Sequence, residues 1–265
     1  MTVVATGVDR LEAHLRGRRD AGRALLVPYV TAGISADWTR YVEACAEAGA
    51  DAVEIGLPFS DPMLDGPTIQ EASHRALERG VTPQSLLAEL AGLAVQVPLV
   101  VMTYANIVLR DGAPAFAERL SAAGVSGLIV PDLPLDELDD VAAPFEAAGV
   151  AMILLAAPAT RPDRLRRIAE RSRGFIYGVT VMGTTGERDS LAASAAGVAE
   201  RVRAATDRPV LLGFGISRPD HAVQAAAHAD GVVVASALMR RVLDGAAPAE
   251  VGADVAALRD ALDRR

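Results

Sequence analysis

Trp38-Thr39-Arg40-Tyr41-Val42-Glu43-Ala44-Cys45-Ala46-Glu47-Ala48-Gly49-Ala50-Asp51-Ala52-Val53-Glu54-Ile55 contains one complete passage from helix to strand. Trp38, Tyr41, Val42 and Cys45 follow i, i+3, i+4, i+7 spacing, which gathers four apolar groups on one helix face. Gly49 ends the helix, because a residue without Cβ tolerates the backbone geometry of a helix stop. The period then changes, and Ala52–Ile55 reads as a short strand that carries a carboxylate, Glu54, near its C-terminal end. Cys45 reads as core packing.

The same unit recurs along the chain. Strand-type runs lie at Ala24–Thr31, Ala52–Ile55, Leu99–Thr103, Gly127–Val130, Ala151–Leu155, Phe175–Thr180, Val210–Leu212 and Gly231–Ala235. Helical patterns separate or follow them near Asp37–Ala48, Pro83–Val95, Pro114–Ala123, Leu135–Ala148, Arg161–Arg171, Leu191–Ala205, Arg218–Ala227 and Pro248–Asp263. Strands as uniformly apolar as Leu99-Val100-Val101-Met102 need cover on both faces, as parallel strands between helices have. Eight such units predict an α/β fold, a (β/α)8 TIM barrel. Asp9–Arg19 adds an extra N-terminal helix. A doubly wound open sheet would show a glycine-rich fingerprint after its first strand, and Thr31-Ala32-Gly33-Ile34-Ser35 is not one. No linker divides the chain, so residues 1–265 read as a single domain.

Composition removes several function classes. A formal charge of −8 argues against non-specific nucleic-acid binding, and the arginines of Arg161–Arg173 are interleaved with acids as on a solvated helix face. No apolar run approaches the roughly 18–20 residues of a membrane span, and Met1–Arg19 lacks a signal-peptide core, so a cytoplasmic protein is expected. The single Cys45 agrees with a reducing compartment. Lysine is absent: all 26 residues counted as Lys or Arg are Arg. Schiff-base aldolase and pyridoxal-phosphate chemistry both require a lysine amine, so neither can be carried by this chain.

In a barrel of this kind the site forms at the C-terminal ends of the strands. Those ends offer Tyr29 and Thr31, Glu54, Tyr104 with Asn106, Asp132, Tyr177 with Thr180, Gly213-Phe214-Gly215 and Ser236. Glu54 is either a salt-bridged structural acid or, in an apolar mouth, a carboxyl that keeps a proton to deliver. Asp65 would read as a turn residue before Gly66-Pro67 if it stood alone. Paired with Glu54 it becomes a second carboxylate in a different environment, able to divide acid and base roles. Gly213, Gly215, Ala235 and Ser236 follow the seventh and eighth strands, just before a short helical segment at Ala237–Val242. Loops at those places bind phosphate in many barrels, through backbone N–H groups that need no lysine; tight turns are the plainer reading. Gly183-Thr184-Thr185-Gly186-Glu187-Arg188 reads as a glycine-hinged lid or a simple connection. His14, His74, His221 and His228 show no metal-ligand spacing, so no metal is expected.

These residues resemble the tryptophan synthase alpha chain family. The most specific match runs Glu54-x-Gly56-x-Pro58-Phe59-Ser60-Asp61-Pro62-x-x-Asp65-Gly66-Pro67-x-Ile69-Gln70, supported by Tyr104-Ala105-Asn106, Val130-Pro131-Asp132-Leu133-Pro134, Thr185-Gly186 and Gly213-Phe214-Gly215-Ile216-Ser217. The resemblance implies retro-aldol cleavage of indole-3-glycerol phosphate to indole and glyceraldehyde 3-phosphate, with Glu54 and Asp65 catalytic. It further implies Tyr29 and Tyr177 lining the pocket, Thr185 on the lid, and Gly186, Gly215, Ala235 and Ser236 at the phosphate. A beta-chain partner in an alpha-beta-beta-alpha heterotetramer is implied too, with pyridoxal phosphate in that partner alone. Ala235 stands where the family usually has Gly, the lid lacks the usual Ser-Arg pair, and Arg110 replaces a frequent Asn near the partner-facing surface. A stand-alone lyase that releases free indole for secondary metabolism would use the same catalytic pair.

Overall fold

The computed structural model describes residues 7–179, 188–213 and 215–265. Eight parallel strands close into a barrel in sequence order: β1 (Leu25–Thr31), β2 (Val53–Gly56), β3 (Leu99–Met102), β4 (Val125–Ile129), β5 (Ala151–Ala156), β6 (Ile176–Gly178), β7 (Val210–Leu212) and β8 (Gly231–Val234). Each strand pairs with its neighbours, and β1 meets β8 through Leu25–Pro28 against Gly231–Val234. The expected fold class is the observed one. All eight expected strands are present, β7 with its expected bounds and the others with ends shifted by at most two residues.

Around the barrel run α1 (Gly7–Asp20), α2 (Thr39–Glu47), α3 (Pro67–Glu78), α4 (Pro83–Ala91), α5 (Ala105–Leu109), α6 (Ala113–Ala122), α7 (Leu138–Ala147), α8 (Pro162–Arg171), α9 (Arg188–Arg203), α10 (Pro219–Ala226), α11 (Ser236–Leu243) and α12 (Pro248–Asp263). The opening segment folds as its spacing requires. Trp38, Tyr41, Val42 and Cys45 are all buried, and Gly49 adopts a positive φ of 93° at the turn into β2.

Alternation along the strands sorts side chains into two cores. Val53 and Ile55 join the shell between barrel and helices, whereas Ala52 belongs to the barrel interior with Leu25, Val27, Val100, Ile129, Ile153, Phe175, Tyr177, Leu211 and Val233. Leu11 and Leu15 of α1 belong to that interior cluster and are fully buried. The extra N-terminal helix therefore plugs the bottom of the barrel and leaves the strands' C-terminal ends as the mouth.

Two helices were not expected. α3 follows Gly66 directly, with Pro67 in its first turn and Ile69, Ala72, Ser73 and Ala76 buried. Proline is well suited to a first helical position because its missing N–H has no intrahelical acceptor there. Reading Gly66-Pro67 as a turn alone passes over the helical spacing just beyond it. α5 is a five-residue helix, too short to show a period in sequence.

Candidate active site

Glu54 occupies the inner face of β2. The period of two places it two residues beyond Ala52, and Tyr29 lies directly beside it in register on β1. It is 1% exposed, and its Oε2 has no hydrogen-bond partner among the described residues. Burial disfavours the charged form, and the Asp65 charge adds to the effect, so the Glu54 carboxyl is raised to about 8. The structural-acid alternative required a cationic partner; Glu54 forms no ion pair among the described residues, and its environment stores a proton at neutral pH.

Asp65 comes from the loop between β2 and α3 and is half-buried. Burial raises its carboxyl to about 6, while a hydrogen bond from Tyr104 works in the opposite sense. The two carboxyls thus sit at different depths with different proton affinities. Between about pH 6 and 8, one is mostly protonated and the other mostly ionised.

Two buried phenols flank this pair. Tyr29 and Tyr177 are both pushed up from the ordinary tyrosine range, first by burial and then by the charges of Glu54 and Asp65. Each leans into space that a glycine leaves open. A Cβ at Gly56 would fall 1.7 Å from the Tyr29 hydroxyl oxygen, and one at Gly213 would fall 2.2 Å from the Tyr177 ring. Gly213, expected at the phosphate, thus also has a packing reason for lacking a side chain.

The phosphate candidates occupy the ends of two adjacent strands, since β7 pairs with β8. Gly213 follows β7, and Gly215 has a positive φ of 57°. Ala235 precedes α11 and Ser236 is its first residue, so the free N–H groups of that helix's first turn open beside the β7 loop. His221 contacts the Gly215 carbonyl oxygen at 3.3 Å and Ser217 at 3.3 Å, bracing this loop from α10. His14 lies at the opposite end of the barrel, on the Asp51 carbonyl. Thr185 and Gly186, with Gly183, Thr184 and Glu187 of the expected lid, lie outside the described residues, as do Thr180 and Phe214, whereas Arg188 begins α9. Among the described residues no group of His, Cys, Asp or Glu is arranged to hold a metal ion.

Sequence reasoning placed Tyr104 among the strand ends but gave it no role. Its hydroxyl donates to Asp65 Oδ2 at 3.2 Å and accepts from the Leu64 N–H at 3.1 Å. Its ring stacks on Phe59 with centroids 4.9 Å apart. The available signal was the barrel order itself: a residue at the end of strand three adjoins the loop that leaves strand two.

What this arrangement can do is narrow: it offers a buried proton donor, a nearby carboxylate, aromatic walls, and helix-start N–H groups after β8. Comparison with known proteins agrees. The sequence profile of the tryptophan synthase alpha chain family matches residues 15–261. The tryptophan synthase alpha chain of Gloeobacter violaceus is 46% identical over 253 residues, which span 92% of this chain and 88% of that one. That of Oceanobacillus iheyensis is 43% identical over 238 residues, spanning 88% and 91%. Among solved structures, Mycobacterium tuberculosis tryptophan synthase superposes with a TM-score of 0.88 at 38% identity, covering 96% of this chain and 98% of the other. Tryptophan synthase subunit alpha of Legionella pneumophila superposes with a TM-score of 0.88 at 29% identity, covering 99% and 100%.

Proposed function

The chain belongs to the tryptophan synthase alpha chain family, and from that premise we propose how its residues divide the chemistry. The reaction is cleavage of indole-3-glycerol phosphate to indole and glyceraldehyde 3-phosphate, the alpha-subunit step of L-tryptophan biosynthesis. Breaking this carbon–carbon bond requires an electron sink, and a lysine-free chain cannot offer an iminium. The substrate's own indole ring serves instead.

Protonated Glu54 gives its proton to indole C3, which makes the ring an indolenine cation. The bond between C3 and the glycerol carbon then breaks. Its electron pair returns to the ring, and the glycerol hydroxyl surrenders its proton to the Glu54 carboxylate, directly or through solvent, as the aldehyde forms. Atoms and charge balance, and Glu54 ends protonated as it began. Asp65 accepts the indole N–H and stabilises the cationic ring. Tyr29 and Tyr177 line the indole and glycerol pocket. Gly186, Gly215, Ala235 and Ser236 supply the phosphate site, beside Gly213, whose own N–H is taken by the Gly178 carbonyl at 3.1 Å, and Thr185 belongs to the lid. We read the chain as one barrel domain working in the cytoplasm; no described helix is long and apolar enough to cross a membrane.

The partner is the tryptophan synthase beta chain. Pyridoxal phosphate belongs to that partner, since this chain has no amine to anchor it. We assign to the beta chain the exposed apolar side chains Met63 and Leu64 of the catalytic loop and Leu109 of α5, which are 81%, 57% and 46% exposed. Side chains of this size left in water near the mouth fit a covered surface.

The observation that carries this reading is Glu54: buried, with one oxygen unpartnered and a raised proton affinity, opposite a second carboxyl. The test is product analysis with indole-3-glycerol phosphate, with and without the beta chain. Glu54→Gln and Asp65→Asn should each lower kcat by about a hundred- to ten-thousand-fold. Retention of most of the parent rate by Glu54→Gln would overturn the assignment. High turnover without the beta chain, unstimulated by adding it, would point to the stand-alone lyase.

A further inference from the structure

We propose that Tyr104 is a positioning residue for the cleavage reaction, holding the Asp65 carboxylate in place for the indole N–H through its phenol hydroxyl. This rests on the role given to Asp65 above.

The Leu64 backbone N–H can only donate, so the Tyr104 oxygen is its acceptor. The phenol has a single proton, and it goes to Asp65 Oδ2. That oxygen is therefore held as an acceptor, the state in which an aspartate receives an N–H. Asp65 Oδ1 has no partner among the described residues and is left to the substrate.

The same contacts fix position. Asp65 stands on the loop from Leu57 to Gly66, between β2 and α3, and a loop of that length needs anchors if its last acid is to meet a substrate precisely placed by the barrel. Leu57 N–H donates to the Met102 carbonyl, tying the loop's start to β3. Tyr104, two residues beyond β3, ties its end. Stacking on Phe59 of the same loop prevents the ring from swinging away. Tyr104 is held in turn by the α5 start, where Asp132 Oδ1 accepts the Ala105 N–H at 2.8 Å. The catalytic loop is thus referenced to β3 and β4, not to its own flexible course.

Groups facing Asp65 from the packed elements are Glu54 on β2, Tyr29 on β1, Tyr104 after β3 and Tyr177 on β6, with Asp132 after β4 acting on Tyr104. None of these is a cation, and Tyr104 is the side chain whose hydrogen bond favours the ionised form of Asp65.

The experiment is the pH profile of kcat/KM for indole-3-glycerol phosphate cleavage, measured on the chain with its beta partner. Tyr104→Phe keeps the ring and its stacking but removes both hydrogen bonds. Taking the ratio of variant to parent at each pH cancels ionisation of the substrate phosphate. If the Asp65 carboxyl rises by about one unit, the ratio falls about fivefold at pH 6 and returns to within about 1.2-fold at pH 8. Phe59→Leu, which loosens the stacking and leaves the hydroxyl, should move the acidic limb less than Tyr104→Phe does. A ratio independent of pH, whether unity or uniformly low, overturns the proposal, as does an equal shift in Phe59→Leu. If Asp65→Asn cleaves normally, the fault lies with the role of Asp65. If it is inactive and the Tyr104→Phe ratio is flat, only this inference fails.

Discussion

Glu54 is a residue the protein keeps at a cost to its own stability. An ordinary carboxyl near 4.5 is raised to about 8 by burial and by Asp65. Between those values the folded state holds a proton that the unfolded chain releases, so stability falls as pH rises through that window and is flat above it. The penalty at alkaline pH is on the order of 5 kcal/mol. Glu54→Gln removes the titration while nearly preserving shape. Its thermal midpoint should exceed the parent's at pH 8.5, with the gap narrowing towards pH 5; an equal gap at both pH values would contradict the raised proton affinity. Sequence located Glu54 at a strand end. It did not reveal the desolvation, which depends on Tyr29 and Tyr177 arriving from β1 and β6.

At the scale of elements, α1 and α3 show two ways in which a helix serves the site: α1 from a distance, and α3 by a hydrogen bond from Gln70 Nε2 to the Asp65 carbonyl at 2.8 Å. α1 closes the barrel bottom. A Cβ at Gly127 would lie 2.8 Å from Leu11 Cδ2 and one at Gly174 would lie 2.7 Å from it, so Leu11 fills its space completely. Leu11→Ala should cost about 2–5 kcal/mol, read as a lower urea midpoint at unchanged slope. KM should stay at the parent value because the mouth lies at the other end; a raised KM would mean that α1 shapes the mouth as well. α3 begins two residues after Asp65 and gives the catalytic loop a firm far end. Its buried positions 69, 72, 73 and 76 carry a helical period that is legible in the sequence. α5 was not legible, since five residues make little more than one turn. Its existence matters because it seats Tyr104 at its N-cap and presents Leu109 to solvent.

On the scale of the whole molecule, closure depends on charges at the barrel bottom. Asp51 is fully buried. Its Oδ1 accepts from Arg23 Nε at 2.8 Å, and its Oδ2 accepts from the Leu26 N–H at 2.9 Å and Arg259 Nη1 at 3.2 Å. One carboxylate thus joins β1, the entry to β2 and α12, the beginning and end of the barrel. Asp51→Asn would leave the buried Arg259 with only the partly exposed Asp263 as a counter-charge and should destabilise by about 3–5 kcal/mol in chemical denaturation. A loss below about 1 kcal/mol would place it with ordinary surface pairs. The sequence by itself determined that lysine chemistry is impossible, that strands and helices alternate through eight units, and that Glu54 ends one of those strands. Those are properties of composition and of local periodicity, and neighbouring residues suffice to express them. Only the tertiary structure decided that Glu54 keeps its proton, that Gly56 and Gly213 make room for two tyrosines, and that Tyr104 holds an aspartate 39 residues away. Each of these depends on which strands become neighbours once the barrel closes, and on the water that closure removes.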